Sequence, residues 1–159
     1  MIYTTDYITV TEANTYFTTR LNSSTWTNAT AGDKASAIRM ATQAINSLPF
    51  KGRKYDPDQA NAFPRYIPLA RGGYYLAEED DSGNLITPQI VKDACAEECL
   101  ELLTSGNSSR RALQNEGVTS FRISELSETF EKPSEVPRLT SFVARQLLKP
   151  FLAAGVPIL

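Results

Sequence analysis

Phe50-Lys51-Gly52-Arg53-Lys54-Tyr55-Asp56-Pro57-Asp58-Gln59-Ala60-Asn61-Ala62-Phe63-Pro64-Arg65 is the stretch on which the reading of this chain turns. Helical periodicity stops where it begins and does not return until residue 88. Gly52 permits one turn and Pro57-Asp58 another, while Phe63-Pro64 pins the segment to a core. Prolines at 49, 57, 64, 68 and 88 and the pair Gly72-Gly73 bracket or punctuate residues 50–87, which predicts a long central loop. A loop of that length inside a compact domain is usually a functional one. Between residues 51 and 71, Lys51, Arg53, Lys54, Arg65 and Arg71 outnumber Asp56 and Asp58, and Glu78 to Asp81 then supplies an acidic run.

Outward from this segment the pattern is helical. Thr11 is a good N-cap, and Ala13, Tyr16, Phe17 and Leu21 recur at helical spacing, predicting a first helix over residues 11–22. Trp26 follows in a polar loop as a plug between helices. Thr30 and Asp33 resemble a capping box before the apolar stripe Ile38, Ala41, Ile45 and Leu48, giving a second helix over residues 31–48 that Pro49 stops. Downstream, Thr87-Pro88 opens a third helix ending near Gly106. Val91, Ala94, Cys95, Leu102 and Leu103 line one face of it, and Asp93, Glu97, Glu98 and Glu101 line the other. Val118, Phe121, Ile123, Leu126 and Phe130 suggest a short strand pair between residues 117 and 130. Pro137 opens a fourth helix striped by Leu139, Phe142, Val143 and Leu147, and Pro150 ends it. The expected fold is mainly α: one domain over residues 1–149, a bundle of about four helices with a β-hairpin and the long loop. An extended, uncharged tail, residues 150–159, completes the chain; Pro150, Phe151, Leu152, Val156, Ile158 and Leu159 are read as inserting into a partner.

Composition closes off most chemistry. Hydrophobic residues make up 42% of the 159 and charged residues 21%, as in an ordinary globular domain. The absence of histidine removes the commonest general base and metal ligand and excludes Ser–His and Cys–His nucleophile pairs. Cys95 and Cys99, four apart on a helix, read as small core residues, since one helix face cannot supply disulfide geometry. No secretion signal and no membrane span are expected. Nucleotide loops, nucleophile elbows and zinc arrays are missing from the sequence. The remaining carboxylate clusters read as solvated faces, so the chain is expected to be no enzyme and to need no metal or cofactor. One chemical signal survives: Phe50, Tyr55, Phe63, Tyr66, Tyr74 and Tyr75 interleave with Lys51 and Arg53, the mixture that single-strand nucleic-acid binders use.

The segment 50–65 also resembles a pattern shared by small virion proteins of tailed phages, (F/W)-K-G-R-x-x-D-P-x-Q-A-x-x-(F/W)-P-R. Glu12-Ala13-Asn14-x-Tyr16-Phe17, the run from Trp26 to Asp33, Pro88 and Val91-Lys92 fit the same pattern, so the resemblance spans roughly the first 105 residues. Such proteins are head–tail adaptors, or head-completion proteins; some of their relatives are labelled DnaT-like single-stranded DNA-binding proteins. The resemblance implies a virion neck protein, assembled in the host cytoplasm and contacting no membrane. It implies a ring of about twelve subunits whose head-to-tail contacts close on themselves. Its partners would be the portal protein and a tail terminator or stopper, with DNA passing through the lumen without sequence-specific binding. Lys51, Arg53, Lys54 and Arg65 would then meet Glu97, Glu98 and Glu101, or the run Glu78 to Asp81, of a neighbour, with Gly52, Pro57, Phe63 and Pro64 shaping the loop. The residues themselves leave the single-strand-binding reading open beside this one.

Overall fold

The computed structural model describes residues 6–68, 74–76, 78–105, 120–123, 126–129 and 139–153. Five α-helices, α1 Val10–Thr18, α2 Ser24–Asn28, α3 Ala31–Asn46, α4 Gln89–Ser105 and α5 Phe142–Leu148, carry the described core, so the chain is mainly helical as expected. A 3-10 turn, Lys149–Phe151, follows α5 directly.

Local chemistry sets the helix boundaries. α1 starts earlier than Thr11 because Thr9 and Glu12 form a reciprocal capping box, and Thr19 terminates it. Asn22 then takes a left-handed φ of 57°, which no helix can continue through. Trp26 lies on the short helix α2 rather than in a loop; it is 1% exposed, packs on Phe17, and its Nε1–H donates to Asn14. Thr30 caps α3 through the Asp33 N–H, as its spacing predicts.

α4 is the hub. It packs on α3 and α5 most extensively and touches α1 and α2. Val91, Ala94, Cys95, Cys99 and Leu100 are buried, and both cysteines are free thiols. Being surrounded, α4 buries more than one stripe: Glu97 and Glu98 are inside too. The solvated acidic face read from the sequence is therefore wrong at these two positions.

The central segment differs most from expectation. Instead of a structureless loop it holds a three-stranded antiparallel sheet in the order β1-β2-β3, with β1 Arg53–Lys54, β2 Arg65–Pro68 and β3 Tyr74–Leu76. Strands of two to four residues are too short to show a period-2 signal in sequence. Farther along, β4 Ser120–Ile123 and β5 Leu126–Thr129 pair antiparallel, as the sequence suggests. Pro137 lies outside the described residues, and Ser141 is the residue that caps α5.

Residues 150–153 do not stand away from the domain. Leu152 bridges to Phe50, the Ala153 N–H donates to the Pro49 carbonyl, and Phe151 packs against Phe63 at 5.7 Å between ring centroids. Phe151 and Leu152 are thus half-buried against their own subunit, Phe151 on the Phe63 ring and Leu152 on the Phe50 backbone. Val156, Ile158 and Leu159 lie outside the described residues. No described helix is long and apolar enough to cross a membrane.

Candidate functional site

The hairpin of β1 and β2 is built on Gly52. With φ at 74°, its α-carbon lies so close to the facing strand that a β-carbon would sit 1.9 Å from the Tyr66 carbonyl oxygen. Only glycine tolerates both the φ and the contact. Arg53 then pairs with Tyr66, and Lys54 with Arg65. Beyond the pair, Pro57 sits in a turn in which Asp56 accepts from the Asp58 and Gln59 amides. The Gln59 carboxamide staples the turn, accepting from Asp56 N–H and donating to the carbonyls of Asn61 and Pro64. Phe63-Pro64 is a cis peptide, and Phe63 is buried against Tyr7, Phe50 and Phe151.

Arg65 is 8% exposed and faces inward. Its guanidinium donates to the carbonyls of Lys51 (2.8 Å), Ala62 (3.1 Å), Gly52 (3.2 Å) and Phe50 (3.3 Å), and it also lies over the Phe50 and Phe63 rings. Burial pulls its pKa below the ordinary arginine value, but a guanidinium stays charged at any physiological pH. This corrects the expectation that Arg65 meets a neighbouring subunit: its donors are spent closing its own loop. Tyr7 anchors the same loop from the N-terminal side. Its hydroxyl donates to Asn46 and accepts from the Ala62 and Phe63 amides, and burial pushes its pKa up.

β2 alternates strictly, Arg65 and Ile67 buried, Tyr66 half-buried and Pro68 exposed. The outward face of the hairpin therefore carries Tyr66, its register partner Arg53 and, two residues on from Arg53, Tyr55. The Arg53 guanidinium sits 4.7 Å over the Tyr66 ring, and the Tyr55 ring, 39% exposed, lies 5.6 Å from Tyr66. A cation stacked on one ring with a second ring alongside can receive an unstacked base and a phosphate together. Lys51 is half-buried beside this face, and the Lys54 ammonium caps the Gln59 carbonyl at 3.0 Å. With Arg65 inside, and Lys54 opposite it on the same face with its ammonium held by Gln59, the outward cations of the segment fall to Lys51 and Arg53, against Asp56 and Asp58.

The carboxylates expected to complement this face are elsewhere engaged. Glu97, 4% exposed, accepts from Arg20 at 2.8 and 2.9 Å and from the Tyr16 hydroxyl at 2.8 Å. Burial opposes its charge, but the Arg20 and Tyr16 hydrogen bonds outweigh burial and hold its pKa below the usual carboxylate range. Glu98, 1% exposed, accepts from the Thr140 and Ser141 amides at 2.9 and 2.8 Å, at the start of α5. Neither carboxylate is a surface charge, so the expected interface role of both is corrected. Glu101 is half-buried on the following turn. Of the acidic run, Glu78 accepts from the first amide of α4 and Asp80 organises a turn through Ser82 and Asn84.

Sequence reasoning flagged Tyr55 and Tyr66 among the aromatics but not that they share a face with Arg53. The Arg65-Tyr66-Ile67 alternation was the available signal. Asn46 and Gln59, which fix the loop, gave no signal beyond Gln59's place in the repeated pattern.

A family model described as "Putative DnaT-like ssDNA binding protein" matches residues 5–158. No curated protein and no solved structure matches the chain.

Proposed function

The chain belongs to the family described as putative DnaT-like single-stranded DNA-binding proteins, and from that premise we propose that it contacts single-stranded DNA through the outward face of the β1–β2 hairpin. The observation that carries this reading is the stack of Arg53, Tyr66 and Tyr55 on the outward face of the strand pair. Tyrosine rings stack on any base, and Arg53 and Lys51 neutralise phosphate, so the contact is tolerant of sequence. It acts by binding, not catalysis. Two outward cations beside two acids give a small electrostatic contribution, so affinity falls gently with salt, with a log–log slope of roughly −1.5 or shallower.

Fluorescence anisotropy of a labelled oligothymidine tests this. Tyr66→Ala and Tyr55→Ala should each weaken binding by about 1–3 kcal/mol, the worth of one stacked base. Equal affinity for both variants and the parent chain rejects the hairpin as the binding face.

A second reading, the head–tail adaptor, has its own support. Phe142 and Val143 are 65% and 40% exposed side by side on α5, and Leu21 stands 83% exposed between α1 and α2. These apolar side chains lie on elements outside the hairpin and suit protein contacts better than DNA. In this reading the subunit closes a ring below the portal of a virion, with a tail terminator or stopper docking beneath. Negative-stain microscopy of the chain with its portal separates the two: rings lost in Phe142→Ser/Val143→Ser support the adaptor. Single-stranded DNA binding by a monomer that ignores the portal rejects it.

A further inference from the structure

The segment joining α3 to β1 is held from two sides. Arg65 takes the carbonyls of Phe50, Lys51 and Gly52. The chain after α5 takes the other edge: the Lys51 N–H donates to the Phe151 carbonyl at 2.8 Å, Ala153 N–H to the Pro49 carbonyl at 2.8 Å, and Leu152 bridges to Phe50. Phe151 meanwhile packs edge-on against Phe63, at the far end of the same loop. Arg53, whose guanidinium covers Tyr66, follows directly on this clamped run.

We propose that residues 151–153 are a positioning strap for the hairpin face: docked, they fix residues 49–52 and so deliver Arg53 onto Tyr66 in a binding-ready geometry. This rests on the single-strand-binding reading above. The geometric reason is that β1 has only two residues and two register pairs to hold it, which is too little to order a strand alone. The clamp supplies the missing order. No strap atom needs to touch DNA; its effect is to have the side chains ordered before the strand arrives, which removes an ordering cost from binding. Anything that draws the strap away, such as a partner that binds the apolar chain end, would lower the affinity of the face for DNA. Strap docking and DNA binding are therefore coupled reciprocally: each favours the other.

The test uses the full chain and a labelled oligothymidine. Phe151→Ala removes the packing on Phe63. Ala153→Pro removes the N–H donated to Pro49 with no change to any side chain of the face, and Leu152 at φ −77°, ψ 146° already has the extended backbone that precedes proline. Each should weaken binding about fivefold, the loss expected when one or two side chains order on binding instead of beforehand. The salt slope should stay unchanged, because no phosphate contact is lost. Amide exchange at Lys51 should accelerate, and Phe151→Tyr should restore parent affinity. Trp26→Phe serves as the control, since it weakens the core at α1 and α2 and should leave affinity unaltered. If Lys51 exchange accelerates in either variant while affinity holds, the strap inference is overturned and the hairpin reading stands. An affinity loss in Trp26→Phe equal to that in Phe151→Ala also overturns it, by showing a general effect of stability. If the intact chain binds no single strand, the hairpin reading falls and takes the strap with it.

Discussion

Residues 50–65 and the acidic side of α4 carry opposite charge and the same outward promise, and the fold treats them differently. On α4 the carboxylates of both Glu97 and Glu98 are buried, each meeting donors brought by another element: Arg20 and Tyr16 after and within α1, Thr140 and Ser141 ahead of α5. In the segment 50–65 the charges divide. Arg65 turns inward to four carbonyls, and Arg53 turns outward onto Tyr66. The difference is one of position rather than composition. Where a helix is covered on every side, as α4 is over residues 94–100, it must satisfy its polar groups internally, whereas a hairpin with one open face sorts them by strand alternation. Charge in a sequence thus indicates a surface only where the element has a free side.

Removing Arg65 tests the inward half of that division. Arg65→Ala leaves four loop carbonyls without their donors and uncovers two aromatic rings, and should cost about 5 kcal/mol by urea unfolding, at the high end for a single change. Arg65→Lys should recover little, since one ammonium cannot reach a fan of four acceptors. Arg53→Ala should stay within about 0.5 kcal/mol of the parent. Were Arg65 the residue that leaves stability alone and Arg53 the destabilising one, the assignment of faces would be reversed. Gly52→Ala should cost about 3–4 kcal/mol, because a β-carbon 1.9 Å from a backbone oxygen separates β1 from β2 and the φ of 74° adds strain. Its loss should also abolish the Arg53–Tyr66 contact, visible in the tyrosine ring shifts.

Glu98 tests the α4 half. Glu98→Ala strips two charge-assisted hydrogen bonds from the entry to α5 and should cost about 3 kcal/mol, with amide protection lost first at Thr140 and Ser141. Glu101→Ala, one turn on and half-buried, should cost less than 1 kcal/mol. Equal losses at the two positions would mean that α4 is not sorted by its neighbours as described.

How much of this was readable beforehand follows from the range of each signal. Helices α3 and α4 were legible because their stripes run over several turns and Thr30 or Pro88 marks the start. α2 was not, since five residues around Trp26 carry less than two turns of pattern. The loop's devices, Gly52, Pro57, Phe63 and Pro64, were legible as turn chemistry, but the strands between them were too short to announce themselves. Burial of Glu97, Glu98 and Arg65 depends on partners 42 to 81 residues away in the chain for the acids and on a fan of backbone carbonyls for the arginine, and no local pattern encodes either. The outward pair Arg53 and Tyr66 is a cross-strand register fact, invisible until β1 is set against β2.

The mildest expected effect is on acid. Glu12 lies at the open end of the same α1–α4 contact that Glu97 closes deeper in. The Lys92 ammonium at 2.8 Å, helped by the Thr9 amide, lowers its pKa from 4.5 to about 2. A group depressed in the folded state contributes stability above its unfolded pKa and loses it as the pH falls toward the folded one. The Glu12 contribution is therefore intact above pH 4.5 and lost progressively between pH 4.5 and about 2. Glu12 is 44% exposed and screened by solvent, so its share is that of an exposed pair, well under 1 kcal/mol. Glu12→Gln should flatten the acid limb of a thermal-melt series slightly, and 0.5 M salt should do the same in the parent chain. Glu97→Gln, at the buried end, should lower stability at neutral pH and flatten the acid limb more, with little response to salt. If the salt sensitivities of the two variants proved equal, burial would not be what separates the two ends of α4.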